Sequence, residues 1–433
     1  MSTNPTAAVM SLPAVLRGKK ILLVNHSDTL GGASVVTFRL MRAMLATGLD
    51  VKLLVFTKTG DDPLVDKIGT RFLRGLHFGM ERIDILMRND YNYGDLYKVS
   101  TGRYAYGISS HKWVREADII CLNWINQGMM GVDELLKLHK AGKKIVWTMH
   151  DMWCMTGICH HSYECRNYEK QCGLCPFLGP KAASDDISHK IWAKKMNVYQ
   201  QVPVKFVAVS HWLEECGRRS SLLSKADLRV IPNLFPINEF TVRPSGRWAA
   251  FDIYRKPNVI CFGAARLDDP IKGLPYAIDA LNYIFDNYPE VANDSVAFFF
   301  GNVKNPEVFD QLRFSHVNLG RLNDMHLIRH LYAASKVVLS TSLYETLPGT
   351  LIEGQACGAV PVTFGRGGQA DIVEHKVNGY IADYLSSTSI AEGIMWALRA
   401  DISRDFLHEE VRRHFDAETI VGEYIRMFEE FYV

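Results

Sequence analysis

Runs of consecutive apolar residues constrain the fold of this chain more than any other feature. Residues 19–25, KKILLVN, are apolar without alternation at their centre, which is typical of a parallel strand buried on both faces. A turn containing Gly31 and Gly32 follows, then a helical pattern that ends near Gly48, and then a second apolar run at 51–56. The succession of strand, glycine turn, helix and strand predicts a β-α-β unit of an α/β protein.

The same alternation continues along the chain and is interrupted once. Further strands are predicted at residues 117–123, 143–149, 205–209, 258–262, 296–301, 317–320, 361–364 and 379–383. A chain of 433 residues is too long for one compact core, which indicates two domains. Residues 234–257 contain Pro and Gly and are suited to the linker between them. We therefore predict an N-terminal tail at 1–18, a Rossmann-like domain at 19–233, a linker at 234–257, a second Rossmann-like domain at 258–414, and a terminal helix within 415–433.

Composition excludes several classes of protein. A net charge of +2 argues against a dedicated nucleic-acid binder, which needs a concentrated positive field. No run of eighteen apolar residues is present, and residues 1–20 lack the leading basic region of a signal peptide. Cys121, Cys216, Cys261 and Cys357 are scattered through apolar surroundings, which is typical of reduced thiols in a cytoplasmic protein.

Residues 340–362 combine a strand end, a helix start and two carboxylates. An apolar run ends at the start of this segment, and a proline–glycine break then precedes residues with helical spacing. Pro348 is tolerated in the first turn of that helix, where Thr350 and Leu351 offer backbone N–H groups that attract phosphate. Glu345 in the loop and Glu353 in the helix are placed to face one pocket mouth at different depths, where a neutral polyol fits better than an anion.

Glu345 and Glu353, with seven residues between them and Ala-Cys-Gly-Ala-Val-Pro-Val after them, resemble the E-x7-E signature of family 4 retaining glycosyltransferases. The resemblance implies the GT-B fold, in which two Rossmann-like domains face each other across a central cleft. It also implies that Glu353 holds the ribose hydroxyls of a nucleotide sugar and that Glu345 meets the transferred sugar as a catalytic residue. Family members often have Phe-Gly-Leu-Pro after the first Glu, where this chain has Thr-Leu-Pro-Gly.

Two basic residues after the first strand of the second domain are candidates for binding a diphosphate. Arg266 and Lys272 can converge on one pyrophosphate, the first as a planar fork and the second as a point charge. They match the family's G-x-R-L…K-G motif, which implies that they stabilise the leaving nucleotide without a catalytic metal. By the same resemblance Arg321 and Leu322 bracket the base, and the glycine-rich loop at 365–368 reaches the donor sugar.

The first domain contributes a second group of candidates. The strand at 143–149 ends in His150 and Asp151, and ligands of α/β proteins bind beyond the carboxyl ends of parallel strands. Family 4 members have a histidine close to the transferred sugar at a similar place, which implies a catalytic role for His150. Gly31 and Gly32 lie where the family has a glycine pair that faces the cleft, so we expect them to contact the donor.

The segment 154–176 is a cysteine-rich insert of the first domain. Cys159, Cys165, Cys172 and Cys175 are spaced C-x5-C-x6-C-x2-C, and the final CGLCP is similar to a zinc knuckle. A structural zinc ion, reduced thiols and disulfides all agree with this spacing. His160 and His161 are alternative zinc ligands, and Cys154 is left over. Similar inserts occur among bacterial polysaccharide enzymes of the family that the chain resembles.

Two further segments each allow two structural interpretations. Residues 64–106 are rich in aromatic and basic side chains without a clean period, which indicates either an acceptor surface or an irregular excursion packed on its own domain. Residues 188–200 form an amphipathic pattern with Ile191 and Trp192 on one side and Lys190, Lys194 and Lys195 toward the other. Such a helix either lies on anionic lipid or buries its apolar stripe in the usual way.

Together these features predict an enzyme, a retaining hexosyltransferase. It would move a sugar from a UDP- or GDP-linked donor to a hydroxyl of a glycan or lipid-linked glycan, in surface polysaccharide synthesis at the cytoplasmic side of the inner membrane. No cofactor is expected for catalysis and no nucleic-acid partner. The alternatives are a GT-B sugar-nucleotide epimerase and a non-catalytic subunit that binds sugar nucleotides.

Overall fold

The structure is a computed structural model that describes residues 12–242 and 256–433. The chain divides into two compact units, of which the first comprises Met1–Leu234 with Ile420–Val433 and the second comprises Phe235–Thr419. Most of the predicted tail at 1–18 and of the predicted linker at 234–257 lies outside the described residues.

The first unit is built on a seven-stranded parallel sheet with the order β3-β2-β1-β4-β5-β6-β7. Its strands are β1 Lys20–Ser27, β2 Asp50–Thr57, β3 Val65–Lys67, β4 Ile119–Leu122, β5 Lys144–Met149, β6 Val204–Ala208 and β7 Asp227–Val230. Every residue of β4 is buried, as is the interior of β1, because helices cover both faces of the sheet. β1, β2, β4, β5 and β6 lie within a few residues of their predicted positions, whereas β3 and β7 were not predicted.

The helices of the first unit are α1 Gly32–Ala46, α2 Arg71–Arg88, α3 Lys112–Glu116, α4 Glu134–Lys140, α5 Ile187–Gln201 and α6 His211–Arg219. Side chains cap four of them at the N-terminus: Thr70 accepts from the backbone N–H of Leu73 in α2, His111 caps α3, Asp186 caps α5, and Ser210 caps α6. Short 3-10 turns, without longer helices, carry the cysteine-rich insert between β5 and α5.

The second unit contains a six-stranded parallel sheet with the order β10-β9-β8-β11-β12-β13. Its strands are β8 Asn258–Arg266, β9 Ser295–Asn302, β10 His316–Asn318, β11 Val337–Ser340, β12 Val360–Phe364 and β13 Tyr380–Ala382. Its helices are α7 Leu274–Asn287, α8 Pro289–Asn293, α9 Met325–Ala334, α10 Gly349–Ala356, α11 Ser387–Arg399 and α12 Arg404–Phe415. β8 runs four residues further than predicted, with an irregularity in its pairing between Gly263 and Arg266.

The last helix, α13 Ala417–Glu429, packs mainly with the first unit. Tyr424 and Phe428 are buried in the same core as β1 and β2, and the Tyr424 hydroxyl lies 2.9 Å from the Thr148 hydroxyl. This helix lies within the predicted range 415–433. Phe415 ends α12, and Asp416 then caps α13 by accepting from the Thr419 N–H.

Two expectations for the first unit need correction. Residues 64–106 were expected to be irregular, but α2 occupies eighteen of them. In the apolar stripe of α5, Ile191 is buried and Trp192 is partly buried, which favours the second interpretation, in which the stripe packs against the protein. Lys195, expected on the polar side of α5, is fully buried as well.

No helix within the described ranges combines the length and the apolar character needed to cross a membrane.

Candidate functional site

Lys272 and Glu345, 73 residues apart in sequence, form an ion pair in the second unit. The Lys272 ammonium donates to Glu345 Oε1, which also accepts from the Ser342 hydroxyl at 3.2 Å. Both side chains remain partly exposed, at 27% and 20%, so the pair is accessible from solvent. The residue predicted to bind diphosphate and the residue predicted to meet the sugar are therefore adjacent.

The turn that carries Lys272 is fixed against the end of β11. Residues Pro270–Lys272 form a 3-10 turn that Asp269 caps, and Gly273 follows in the left-handed region with φ of 64°. The Thr341 hydroxyl donates to the Gly273 carbonyl at 2.9 Å. A Cβ at Gly273 would lie 2.1 Å from the Thr341 carbonyl oxygen, so only glycine allows this approach.

The glycine-rich loop after β12 holds the backbone of Glu345. The Gly368 N–H donates to the Glu345 carbonyl at 2.9 Å, and a Cβ at Gly367 would lie 2.4 Å from that same oxygen. The buried Gln369 side chain donates to the Ser342 carbonyl at 3.0 Å. Gln369 was not predicted from the sequence, since a lone glutamine after a glycine loop carries no recognisable signal.

The N-terminus of α10 lies just after the Glu345 loop, with Pro348 as its cap residue. The Leu351 N–H donates to the Pro348 carbonyl at 3.2 Å, and its side chain is fully buried. The expectation that Leu351 offers an unpaired amide to phosphate is therefore wrong, because the first turn of the helix already uses it. Thr350 is half-buried at the second helical position, where an N–H has no partner earlier in the helix.

Glu353 lies one turn further along α10 and is half-buried. Burial first, and the negative charge of Glu353 second, raise the pKa of Tyr332 at the end of α9. The Tyr332 hydroxyl is buried and has no hydrogen-bond partner among the described residues. Tyr332 could not be predicted as a neighbour of the proposed ribose ligand, since it occupies an ordinary helical core position.

Arg266 lies at the end of β8 and its side chain is 39% exposed. Its Nε donates to Asp268 at 3.0 Å, and the Asp268 carboxylate also accepts from the N–H groups of Lys304 and Asn305. These donors hold the pKa of Asp268 below its usual value against the opposing effect of desolvation. Asp268 was not among the site residues predicted from the motif. Its carboxylate positions the Arg266 side chain.

Arg321 and Leu322 follow β10 on a segment tied to β9, where the Gly301 N–H donates to the Gly320 carbonyl at 2.8 Å. Arg321 is exposed and donates to the Asn323 side chain at 3.0 Å, while Leu322 is half-buried. No described hydrogen bond or ion pair joins either residue to Lys272 or Glu345.

His150 lies in the first unit, directly after β5. Its Nε2 lies 3.0 Å from Asn123 Oδ1, and the Asn123 amide nitrogen donates to the Cys121 carbonyl at 3.2 Å. That amide orientation makes Oδ1 the acceptor, so the His150 proton resides on Nε2. Burial lowers the pKa of His150 to about 4, although the charge of Asp151 opposes this, and the imidazole is neutral at pH 7.

Asp151, expected to accompany His150, instead binds the cysteine-rich insert. Its carboxylate accepts from the Trp124 indole at 2.7 Å, from the Trp153 N–H at 2.8 Å and from His160 Nδ1 at 2.6 Å. His160 Nε2 in turn lies 3.1 Å from the Ser100 hydroxyl. Both ring nitrogens are thus in use, so His160 is not a zinc ligand as suggested from the sequence.

Gly31 and Gly32 begin α1 and are exposed. Gly31 has φ of 87°, a conformation that favours glycine, but a Cβ would meet nothing within 4 Å at either position. The loop before them is anchored by buried Asp28, whose carboxylate accepts from the N–H groups of Thr59 and Gly60. The fold therefore leaves open space beside this glycine pair.

The four predicted zinc ligands Cys159, Cys165, Cys172 and Cys175 line one cavity of about 20 Å³, the volume of one small occupant. The Gly157 N–H donates to the Cys172 sulfur at 3.1 Å, and burial raises the pKa of Cys172 to about 11 and that of Cys175 to about 12. All nine cysteines are free thiols, so the disulfide alternative is absent from this structure. Across residues 12–242 and 256–433, no three Cys, His, Asp or Glu side chains are arranged to hold a metal ion.

Lys195 supports this insert from α5. Its ammonium is fully buried and donates to the carbonyls of Trp153, Thr156 and Gly157, the last at 3.1 Å. Desolvation lowers its pKa to about 7. The sequence offered one weak hint, which is that Lys195 lies four residues after buried Ile191 and hence on the same face of α5.

The two parallel α/β units define the fold class as GT-B, and comparison with solved structures confirms it. HepE from Anabaena, in complex with UDP and glucose, matches with a TM-score of 0.61 at 17% identity, over 95% of this chain and 100% of its own. WaaG, a glycosyltransferase involved in lipopolysaccharide biosynthesis, matches with a TM-score of 0.61 at 14% identity, over 94% of this chain and 99% of its own.

Sequence comparisons add a chemical class to the fold. Residues 251–414, which hold the Lys272–Glu345 pair, match the family model of glycosyl transferases group 1. The putative colanic acid biosynthesis glycosyl transferase WcaC of Escherichia coli K12 is 28% identical over 147 residues. That match spans 33% of this chain and 34% of WcaC, so the chain aligns with about a third of the length of this curated relative. These findings support the predicted glycosyltransferase of the GT-B fold.

Proposed function

We propose that this chain is a retaining glycosyltransferase that moves a sugar from a nucleotide diphosphate to a hydroxyl acceptor in surface polysaccharide synthesis. The observation that carries the proposal is the Lys272–Glu345 pair, which joins a cation for the diphosphate to a carboxylate for the sugar beyond the carboxyl end of β11. The resemblance to family 4 assigns the same roles to these two positions. A UDP- or GDP-linked donor is proposed, and the UDP and glucose bound to HepE support the first of these.

The proposed chemistry needs positive charge at the leaving group. The acceptor oxygen bonds to the anomeric carbon on the face from which the diphosphate departs, the bond from that carbon to the phosphate oxygen breaks, and the acceptor proton passes to the leaving phosphate. Arg266, Lys272 and the amide of Thr350 would neutralise the diphosphate as it gains charge, and no catalytic metal is invoked. Glu353 would hold the ribose hydroxyls, while Arg321 and Leu322 would bracket the base.

In the first unit, the neutral imidazole of His150 is suited to a hydrogen bond with a sugar hydroxyl, and it carries no charge that would compete for the phosphate. The open space beside Gly31 and Gly32 allows close approach of a ligand to backbone. The proposed acceptor is a glycan or lipid-linked glycan in the cytoplasm, in keeping with the printed name of WcaC.

The test compares two lysines that flank the same strand. Lys272 pairs with Glu345 beyond the carboxyl end of β11, whereas Lys336 precedes that strand and donates to Asn258 at 3.0 Å. A thermal-shift panel of UDP-, GDP- and ADP-sugars should identify a donor that raises the melting temperature of the wild type. We expect Lys272→Met to lose that shift and to slow transfer by about 100-fold or more, and Lys336→Met to keep both.

The result of this panel also separates the rival functions. If no sugar nucleotide binds, or if Lys272→Met binds the donor as well as Lys336→Met does, the proposal is wrong. Epimer formation from the donor without acceptor would identify an epimerase. Donor binding with neither hydrolysis nor transfer, across a panel of glycan acceptors, would identify a non-catalytic subunit.

We also propose that Cys159, Cys165, Cys172 and Cys175 hold a structural zinc ion. Their shared cavity, the N–H donor on the Cys172 sulfur and the lack of disulfides support a tetrathiolate site. Zinc binding would require the four sulfur atoms to lose their protons and to draw together around the cavity.

A further inference from the structure

Helix α2 exposes an apolar stripe to solvent. Phe72, Leu76, Ile83 and Met87 are 77%, 44%, 57% and 50% exposed. With about 3.6 residues per turn, these four positions fall within an arc of about 60° on one side of the helix. A contiguous exposed stripe of this kind marks an interaction surface, whereas isolated exposed apolar residues do not.

The buried side of α2 carries three charged residues beside apolar Ile85, which is unusual for a helix of this kind. Glu81, Arg82 and Asp84 are at most 5% exposed. Arg82 donates to the Leu96 carbonyl at 2.6 Å and to Glu81 at 2.9 Å. Glu81 also accepts from the Gly102 N–H at 2.7 Å. This network holds the helix with its apolar side outward, so the exposure of the stripe is a fixed property of the fold.

The surroundings of the stripe carry aromatic rings and positive charge. Tyr91, Tyr93 and Tyr97, just after the helix, are 62%, 72% and 57% exposed. The Lys181 ammonium lies 5.5 Å from the centre of the Tyr91 ring and 3.6 Å from the exposed Asp90 carboxylate, with which it forms a surface ion pair. Arg71 is exposed in the first turn of α2. Both carboxylates of α2 belong to the buried side, so the outward side of the helix carries no negative charge.

We propose that α2 and the tyrosines after it dock on the surface of an anionic lipid bilayer. The stripe would enter the boundary of the acyl chains, the tyrosine hydroxyls would remain at headgroup level, and the arginine and lysine would meet lipid phosphates. An apolar stripe with exposed tyrosines and Arg71 at its ends matches the acyl, interfacial and headgroup layers of an anionic bilayer. This surface is a better candidate for the membrane contact than α5, whose Ile191 is buried and whose Trp192 is partly buried. The proposal rests on α2 alone and does not depend on the transfer reaction.

The experiment measures co-sedimentation of the full chain with phosphatidylcholine vesicles, with and without phosphatidylglycerol. We expect binding that needs phosphatidylglycerol, and we expect the double variant Phe72→Ser, Ile83→Ser to weaken it by about tenfold or more. Phe285→Ser is the matched control, since Phe285 is a 40% exposed aromatic on α7 in the other unit, and it should bind like the wild type. Arg71→Glu should weaken binding at low salt more than at high salt.

Because the substituted side chains are exposed, all variants should melt with the wild type, and this is measured alongside. Vesicle binding that is absent, equal with and without phosphatidylglycerol, or unaffected by the double variant overturns the proposal. A wild-type dimer in light scattering that the double variant dissociates would overturn it too, since the stripe would then be an interface between two copies. Thermal shifts with the sugar nucleotide should be equal in all variants, which separates failure of this proposal from failure of the proposed function.

Discussion

Replacing Gly273 with alanine tests whether the turn that presents Lys272 is held by backbone contact alone. Gly273 has φ of 64°, and left-handed backbone costs a non-glycine residue about 1–2 kcal/mol. The added Cβ would lie 2.1 Å from the Thr341 carbonyl oxygen, so the two must separate by about 0.9 Å to reach the closest contact that real side chains show. Overpacking of this kind costs about 1–3 kcal/mol more. We therefore expect Gly273→Ala to destabilise the second unit by about 2–5 kcal/mol.

Gly320 is the matched control for this substitution. It lies in the same unit with φ of 62°, but a Cβ there would meet nothing within 4 Å. Gly320→Ala should therefore cost only the left-handed conformation, about 1–2 kcal/mol. Urea denaturation of both variants, followed by circular dichroism and by tryptophan fluorescence, measures the difference. Equal destabilisation of the two variants would refute the reasoning, because it would show that the Thr341 carbonyl does not confine the turn.

Two further predictions concern titration and metal. Burial lowers the pKa of His26 and of His150 from 6.5 to about 4, so between these pH values the unfolded chain binds more protons than the folded one. Stability should then fall as pH decreases from 6.5 to 4, by at most about 1.4 kcal/mol per pH unit for each histidine, and His150→Gln should reduce the slope measured by urea denaturation at each pH. For the insert, we expect metal analysis of the purified wild type to find bound zinc. Cys172→Ser should lose this zinc and Cys154→Ser should retain it, since Cys154 lies outside the cavity of the four cysteines. Equal zinc in both variants, or none in the wild type, would contradict the proposed site.

The strands were the most predictable part of the fold. A strand of a covered parallel sheet is apolar on both faces, so its sequence is a continuous run, and β5 lies within one residue of its predicted start. The proline–glycine break and the helical spacing after it placed Glu345 on a loop and Glu353 on a helix, where the structure has them. What the sequence did not contain is the contact between Lys272 and Glu345, because sheet order and the Gly273 turn bring these residues together.

The failures of prediction share a physical cause, which is that polar groups occupy buried positions. Helix α2 was not predicted because helical periodicity is sought as apolar residues facing inward, and three of the four buried residues of this helix, Glu81, Arg82 and Asp84, are charged. Lys195 was placed on the wrong side of α5 for the same reason. In both cases the buried cation donates hydrogen bonds to backbone carbonyls, Arg82 to Leu96 and Lys195 to Gly157. Because every residue has a backbone carbonyl, such partners cannot be recognised from the sequence.

The cysteine-rich insert and helix α2 belong to one structural body. Ile85 of α2 is buried in a single cluster with Cys159 and Cys175 of the insert and Ile191 of α5. This cluster is separate from the core that covers the sheet of the first unit. A small core of this kind contributes little stability by burial alone. Buried charges with hydrogen-bond partners and, as proposed, a metal ion would stabilise the insert in addition. The insert thus acts as the support on which the first unit presents the apolar stripe of α2 to its surroundings.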